Sequence, residues 1–316
     1  MTKCLISGGC GFIFSNVIIY LLQHTDWDIA SVDALYAGSL LNVPHNIKRH
    51  KLYIGDICDY HLTETIFDLE RPDIVLHGAA SSHVDTSILD PRSFVSNNVI
   101  GTHSMLEAAR KFPPKVFINT STDEVMGSID TGHSKETDPM NPRNPYAATK
   151  AAADVLGNSY FNTYGLPVIT TRSSNVFGGR QAVEKFIPKA ITNILAGKKI
   201  PLYGSGKQIR SWIYIKDYFW ALKKIVECGV PGQAYNIGGV EKENIEVLKL
   251  ILEIMNAEES FIEHVNDRPG HDIRYSVNDD KLRALGWAPK YQFEEALAKS
   301  CGWFKANSWF VKGNKI

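Results

Sequence analysis

Thr122-Asp123-Glu124 sets a hydroxyl beside two carboxyl groups, and a phenol and an ammonium follow at Tyr146 and Lys150. Tyr146 and Lys150 are spaced i, i+4, so a helix presents them on one face. These groups could move several protons within one pocket, with a carboxylic acid donating, a carboxylate abstracting and a phenol accepting a hydroxyl proton. A nearby ammonium, together with a nicotinamide charge, favours phenolate, so Tyr146 is expected to act as a base near neutral pH. Taken alone, Tyr-x-x-x-Lys is common by chance and an arbitrary Asp-Glu is usually a solvated loop pair. The glycine-rich segment Gly8-Gly9-Cys10-Gly11 changes that weighting, because it has the shape of a dinucleotide site. Hydride transfer and acid/base chemistry in one pocket are what an internal redox dehydration requires.

The elements that must carry these groups alternate through the first two-thirds of the chain. Lys3–Ser7 reads as a strand, Phe12–Gln23 as a helix, Asp28–Val32 as a strand ending at Asp33, and Leu52–Ile54 as a strand before Asp56. His61–Leu69 reads as a helix, Ile74–His77 as a strand before Gly78-Ala79-Ala80, and Pro91–Lys111 as one helix. Val116–Asn119 is a strand ending at the Thr120–Glu124 cluster, Asn144–Tyr164 the helix of Tyr146 and Lys150, and Val168–Thr171 the next strand. This alternation predicts an α/β fold with a doubly wound parallel sheet. In such a sheet ligands bind outside the strands' C-terminal ends, where Asp33, Asp56, Ala79, Ala80 and Thr122–Glu124 all fall. Beyond about residue 175, short segments at Ile200–Tyr203, Arg210–Ile215 and Ala234–Ile237, with a helix at Ile245–Met255, suggest a smaller α/β lobe covering those ends. The expected division is 1–174 for the dinucleotide domain with the catalytic residues and 175–316 mainly for a substrate lobe, the chain crossing between them.

Bulk properties narrow the class. The 34 basic residues balance the 34 acidic ones and are scattered, which argues against nucleic acid. The longest apolar run, Val17–Leu22, is far short of a membrane span. Met1 leads straight into the first strand, which leaves no room for a signal peptide. The five cysteines show no Cys-x-x-Cys spacing, so neither a metal site nor a disulfide framework is expected, and a reducing, cytoplasmic setting is.

For the cofactor, Gly8 and Gly11 follow a strand and open a helix, so that backbone N–H groups at Phe12 and Ile13 can face a pyrophosphate. A glycine loop alone could be a tight strand–helix turn. Asp33, about 20 residues on, adds a carboxylate for a ribose diol. Ala34–Gly38 contains no Arg or Lys to hold a 2′-phosphate, so NAD is expected over NADP, with Asp56 and Ile57 at the adenine. The pattern's third glycine is replaced by Phe14, which either displaces the helix or fills a local gap.

Across these motifs the chain resembles the extended short-chain dehydrogenase/reductase family and, more narrowly, its nucleotide-sugar 4,6-dehydratases. The resemblance rests on Gly8–Ile13, Gly55-Asp56-Ile57, His83-Val84-Asp85, Ser121–Val125, Asn144-Pro145-Tyr146, Arg172–Val176, Glu184–Pro188, Tyr235–Gly238 and Asp267–Asp272. It implies a Rossmann-type domain, NAD as cofactor and a nucleoside-diphosphate glucose as substrate. Tyr146 would take the sugar 4-hydroxyl proton, Glu124 the C5 proton, and protonated Asp123 would donate to the departing 6-hydroxyl. Thr122 would bind the sugar, and Lys150 would assist Tyr146. Ala79, Ala80, Tyr146 and Lys150 would also touch NAD. Ser87, Asn175, Lys185, Arg210, Asn244, Arg268 and His271 would hold the nucleotide sugar, with Pro201 and Tyr203 at its base. His83 and Asp85 stand equally as sugar contacts or as satisfied polar groups. Relatives also imply a homodimer through the helices near Pro91–Lys111 and Tyr146. Met126 departs from a common tyrosine, removing a hydroxyl near the acidic pair. Either UDP- or dTDP-glucose fits this reading. The alternatives are a 4-epimerase or decarboxylase on the same fold, or a non-catalytic nucleotide-binding protein.

Overall fold

Segments that stop at a hydroxyl, acidic or histidine residue become five of the first six strands of the computed structural model, β3 ending instead at Ile54; the structure describes residues 2–44, 47–266 and 274–313. They are β1 (Lys3–Ser7), β2 (Asp28–Asp33), β3 (His50–Ile54), β4 (Ile74–His77), β5 (Val116–Thr122) and β6 (Val168–Ser173). Between them run α1 (Phe12–His24), α2 (Tyr60–Glu70), α3 (Val84–Leu89), α4 (Pro91–Phe94), α5 (Gly101–Lys111) and α6 (Pro145–Tyr164). The remainder supplies β7 (Asn175–Phe177), α7 (Phe186–Leu195), β8 (Ile200–Tyr203), β9 (Ile209–Tyr214), α8 (Ile215–Cys228), β10 (Ala234–Ile237), β11 (Val240–Glu243), α9 (Asn244–Met255), β12 (Ile262–Val265), α10 (Asp280–Ala284) and α11 (Phe293–Ala306).

The main sheet has seven parallel strands in the order β10-β6-β5-β4-β1-β2-β3, a Rossmann-type arrangement that reverses direction between β1 and β4. Side-chain alternation assigns the two faces. Cys4 and Ile6 of β1, with Ile74 and Leu76 of β4, pack against α1, α8 and the C-terminal helices. Leu5, Val75 and Phe117 point the other way into α2, α5 and α6. A smaller α/β region carries the sheets β11-β9-β7 and β12-β8.

Three expectations are corrected. Strand β5 continues through Thr122, which anchors the start of the acidic cluster in the sheet rather than in a loop. The helix expected over Pro91–Lys111 spans that range but is not one regular α-helix: α4 passes into a π-helical turn at Val95–Ile100 before α5 begins. The strand Ala234–Ile237, read as part of the smaller lobe, pairs with β6 and completes the main sheet.

Helix α6 is positioned by its own sequence. Asn144 caps it by accepting from Ala147 N, Pro145 occupies its first turn, and Gly165 ends it in the left-handed region. Its inner face is built largely of small residues, with Ala147, Ala151, Ala153 and Gly157 against the sheet, which brings Lys150 under the end of β5.

Candidate active site

Backbone and small residues form the cleft at the switch point. It is lined by Gly8, Gly11, Asp33, Asp56, Ile57, Ala79 and Ala80, together with Tyr36 and Asn97. Gly8 has φ +76, and a Cβ there would lie 2.9 Å from the Ala79 backbone, so only glycine lets the two strand ends approach. The first hydrogen bond of α1 runs from Ser15 N to Gly11 O, which leaves the N–H groups of Phe12 and Ile13 heading the helix. Asp33 is held by Cys10 N and Leu35 N, each at 2.8 Å; burial raises its pKa and these backbone donors oppose the rise. Asp56 accepts from Tyr36 Oη and Cys58 N. Turn amides for a diphosphate, a fixed carboxylate for a diol and Ile57 beside it fit an adenine dinucleotide.

Phe14 does not displace the helix. Its ring lies over Gly78, where an added Cβ would meet Phe14 Cε2 at 1.7 Å. A large residue in α1 is thus accommodated by the missing side chain at the end of β4.

The acid/base groups gather beyond β5. Thr122 Oγ1 donates to Asp123 Oδ1 at 3.2 Å and accepts from Glu124 N at 3.3 Å. Asp123 is only 2 % exposed, and its Oδ2 has no hydrogen-bond partner. Burial, reinforced by the Glu124 charge, pushes the Asp123 carboxyl up to about 7, against the Thr122 hydrogen bond and the Arg210 charge. Half-buried Glu124 accepts from Asn144 Nδ2 at 3.3 Å. The pair is therefore asymmetric, with one carboxyl enclosed and one of its oxygens unpartnered, and the other half-buried with a side-chain amide donor.

Tyr146 packs edge-on to Phe94. Burial, reinforced by Glu124 and Asp123, raises its phenol well above the ordinary range, opposed by a hydrogen bond with Thr122. The expected favouring of phenolate joined the Lys150 ammonium to a nicotinamide charge; of the two, the ammonium makes its hydrogen bond to the sheet. Lys150 Nζ donates to Thr120 O at 2.5 Å, and burial brings its own pKa down to about 8, against the Asp154 charge. Its ammonium is directed at the sheet's end.

A buried polar chain missed in the sequence ties the two sub-sites together. Thr102 Oγ1 donates to Asn98 O, so it accepts from His77 Nε2. His77 Nδ1 therefore accepts from Ser7 Oγ, whose oxygen in turn receives Gly78 N and Ala79 N. Burial, with the Lys150 charge, drives the His77 pKa down to about 3, and the ring stays neutral. Asn98, placed by the π-turn, brackets Ser81 through its N–H and carbonyl and donates to Thr149, which donates to Tyr146 O. The one available signal was the polar run Ser96-Asn97-Asn98 inside an otherwise apolar helical stretch.

The expected substrate residues distribute unevenly. Arg210, on β9, faces the Tyr275 ring at 4.8 Å and acts electrostatically on Asp123. Lys185, at the start of α7, reaches back to Ser82 O at 3.0 Å. Asn175 opens β7, Pro201 and Tyr203 lie on β8, and Asn244 starts α9. Ser87 is corrected: it has no exposed surface, and its hydroxyl donates to Val84 O. Arg268 and His271 lie outside the described residues. His83 caps α3 by accepting from Thr86 N. Met126 is buried among Val125, Ala151 and Met140, with Arg172 Nη1 3.7 Å from its sulfur, so this departure alters packing beneath the pair.

The family model for GDP-mannose 4,6 dehydratase matches residues 5–300. The chain belongs to this family. It is 39 % identical over 346 residues to dTDP-glucose 4,6-dehydratase of Escherichia coli, covering 98 % of this chain and 96 % of that protein. It is 45 % identical to the low-salt glycan biosynthesis protein Agl12 of Haloferax volcanii over 297 residues, with 93 % and 95 % covered. Among solved structures it is similar to DesIV, a dTDP-glucose 4,6-dehydratase from Streptomyces venezuelae with NAD and TYD bound. That similarity has a TM-score of 0.96 at 36 % identity and covers 99 % of this chain and 100 % of that one.

Proposed function

We propose that this enzyme is an NAD-dependent lyase converting a nucleoside-diphosphate glucose, dTDP-glucose in the first instance, to its 4-keto-6-deoxy sugar. The observation that carries the reading is the asymmetric carboxyl pair: an enclosed Asp123 that keeps its proton to about pH 7, beside a donor-held Glu124. NAD, held by the turn amides after Gly8 and by Asp33, would supply a hydride acceptor for C4 and the donor for C6. Tyr146 takes the 4-hydroxyl proton. Glu124 removes the C5 proton made acidic by the C4 ketone; the C5–H electrons form the C5–C6 double bond, the C6–O bond breaks, and the Asp123 proton leaves with that oxygen as water; as hydride returns to C6, the carboxylic acid of Glu124, exchanged with solvent, gives a proton back to C5. Thr122 orients Asp123 and Tyr146. The thymidine preference is supported by the E. coli relative, matched along almost its whole length. Asn175, Lys185, Arg210 and Asn244 would hold the diphosphate and sugar, with Pro201 and Tyr203 at the base.

Exposed Ile88, Leu89, Val95, Ile100 and Val155 form an apolar strip on α3, the π-turn and α6, which supports a two-fold homodimer through these helices. No helix among the described residues is long and apolar enough to cross a membrane. The five free thiols accord with a cytoplasmic location. The decisive assay supplies dTDP-glucose, UDP-glucose and GDP-mannose to NAD-loaded protein in heavy water. Loss of water with deuterium at C5, fastest for dTDP-glucose, is expected; a C4 epimer of unchanged mass would refute the reading. NADP should bind far more weakly than NAD, because Asp33 repels a 2′-phosphate.

A further inference from the structure

Asn144 lies where the acidic turn meets the catalytic helix, and the two ends of its side-chain amide make different contacts. Oδ1 accepts Ala147 N at 2.8 Å as the cap of α6, and Nδ2 donates to Glu124 Oε2 at 3.3 Å. The helix N–H can be met only by the oxygen end, so capping itself dictates that the NH2 faces Glu124. The neighbouring carboxyl receives no side-chain amide: Asp123 has the Thr122 hydroxyl on Oδ1, a favourable influence from the Glu124 backbone N–H, and no hydrogen-bond partner on Oδ2. A donor favours the ionised form of the group it touches, and an enclosed oxygen without one favours the neutral form.

We propose that Asn144 is a positioning residue that selects Glu124 as the ionised member of the carboxyl pair and couples its aim to the helix bearing Tyr146 and Lys150. This rests on the dehydratase reading. Serine caps helices about as well as asparagine but is too short to reach Glu124, which separates the two contacts. In NAD-loaded Asn144→Ser with dTDP-glucose in heavy water, thermal stability should match the parent. Deuterium entry at C5 should slow about tenfold, the loss of one hydrogen bond to a charged group. C4 oxidation continues, so NADH absorbance should build up. Asn144→Asp keeps the cap and sets a second charge against Glu124, moving the basic group's pH limb upward. Side-chain carbon NMR of Glu124 without substrate gives an arm independent of turnover, with its titration midpoint higher in Asn144→Ser than in the parent. An unmoved midpoint with parental C5 exchange overturns the proposal, as does an equal loss of oxidation and exchange accompanied by reduced stability. A parent protein that makes no 4-keto-6-deoxy product while the NMR midpoint shifts overturns the function reading alone.

Discussion

The glycine cleft and the acidic pocket lie at one edge of one sheet but are specified by different physics. The cleft is made of backbone and absent side chains, with Gly8 against Ala79 and Gly78 beneath Phe14. Volume decides what it tolerates. The pocket beyond β5 is made of titratable groups, and there the placement of charge and donors decides. Isosteric replacements should therefore disable the pocket while leaving the fold intact, whereas small changes of volume should damage the cleft without altering any charge.

The largest effect tests the pocket. Glu124→Gln preserves shape and the Asn144 contact but removes the base, so the elimination rate should fall about 10²- to 10⁴-fold with unchanged thermal stability. A parallel loss of stability would blur the contrast. Next, Gly78→Leu pushes into the Phe14 ring and should cost about 1–3 kcal/mol and weaken NAD binding. Adding Phe14→Gly should recover most of that loss, and calorimetry on the double-mutant cycle reads the coupling. Additive losses would show that the two residues are not a pair.

A smaller effect concerns pH. The Asp123 pKa is about 7 in the folded protein against an ordinary 3.8, so the folded state binds this proton more tightly. Stability from this group is thus full at low pH, declines as pH rises through that interval, and is lost above it. Asp123→Asn should match the parent below the interval and melt a few degrees higher above it, while dehydration slows. The smallest effect is Lys185→Met, which removes the tie to Ser82 and should raise KM roughly two- to fivefold with kcat retained.

The same division governs what could be read from the sequence. Strands β1, β2, β4, β5 and β6 were legible because each carries apolar residues before a polar end, β3 from Leu52–Ile54 before Gly55-Asp56, and the reacting residue types were legible from their spacing. The π-turn at Val95–Ile100 was not, since the partners that Asn98 meets there, Ser81 and Thr149, are remote in the chain. Phe14 read as an anomaly until Gly78 was found beneath it. Helical spacing could not show that burial raises the Tyr146 phenol or that Lys150 donates to Thr120 O. Ser87 had the right residue type, but its packing encloses it.

The pairing of β10 with β6 also bears on how the chain is made. All six residues of β6 are buried, and its outer hydrogen-bonding edge is covered only when Ala234–Ile237 arrives. A nascent chain released through Ser174 therefore carries an unpaired strand edge that remains open until the rest of the polypeptide emerges. A fragment cut at that boundary should aggregate, although it contains the whole glycine cleft and every acid/base group. Translation must pass β10 before the catalytic half is safe in solution.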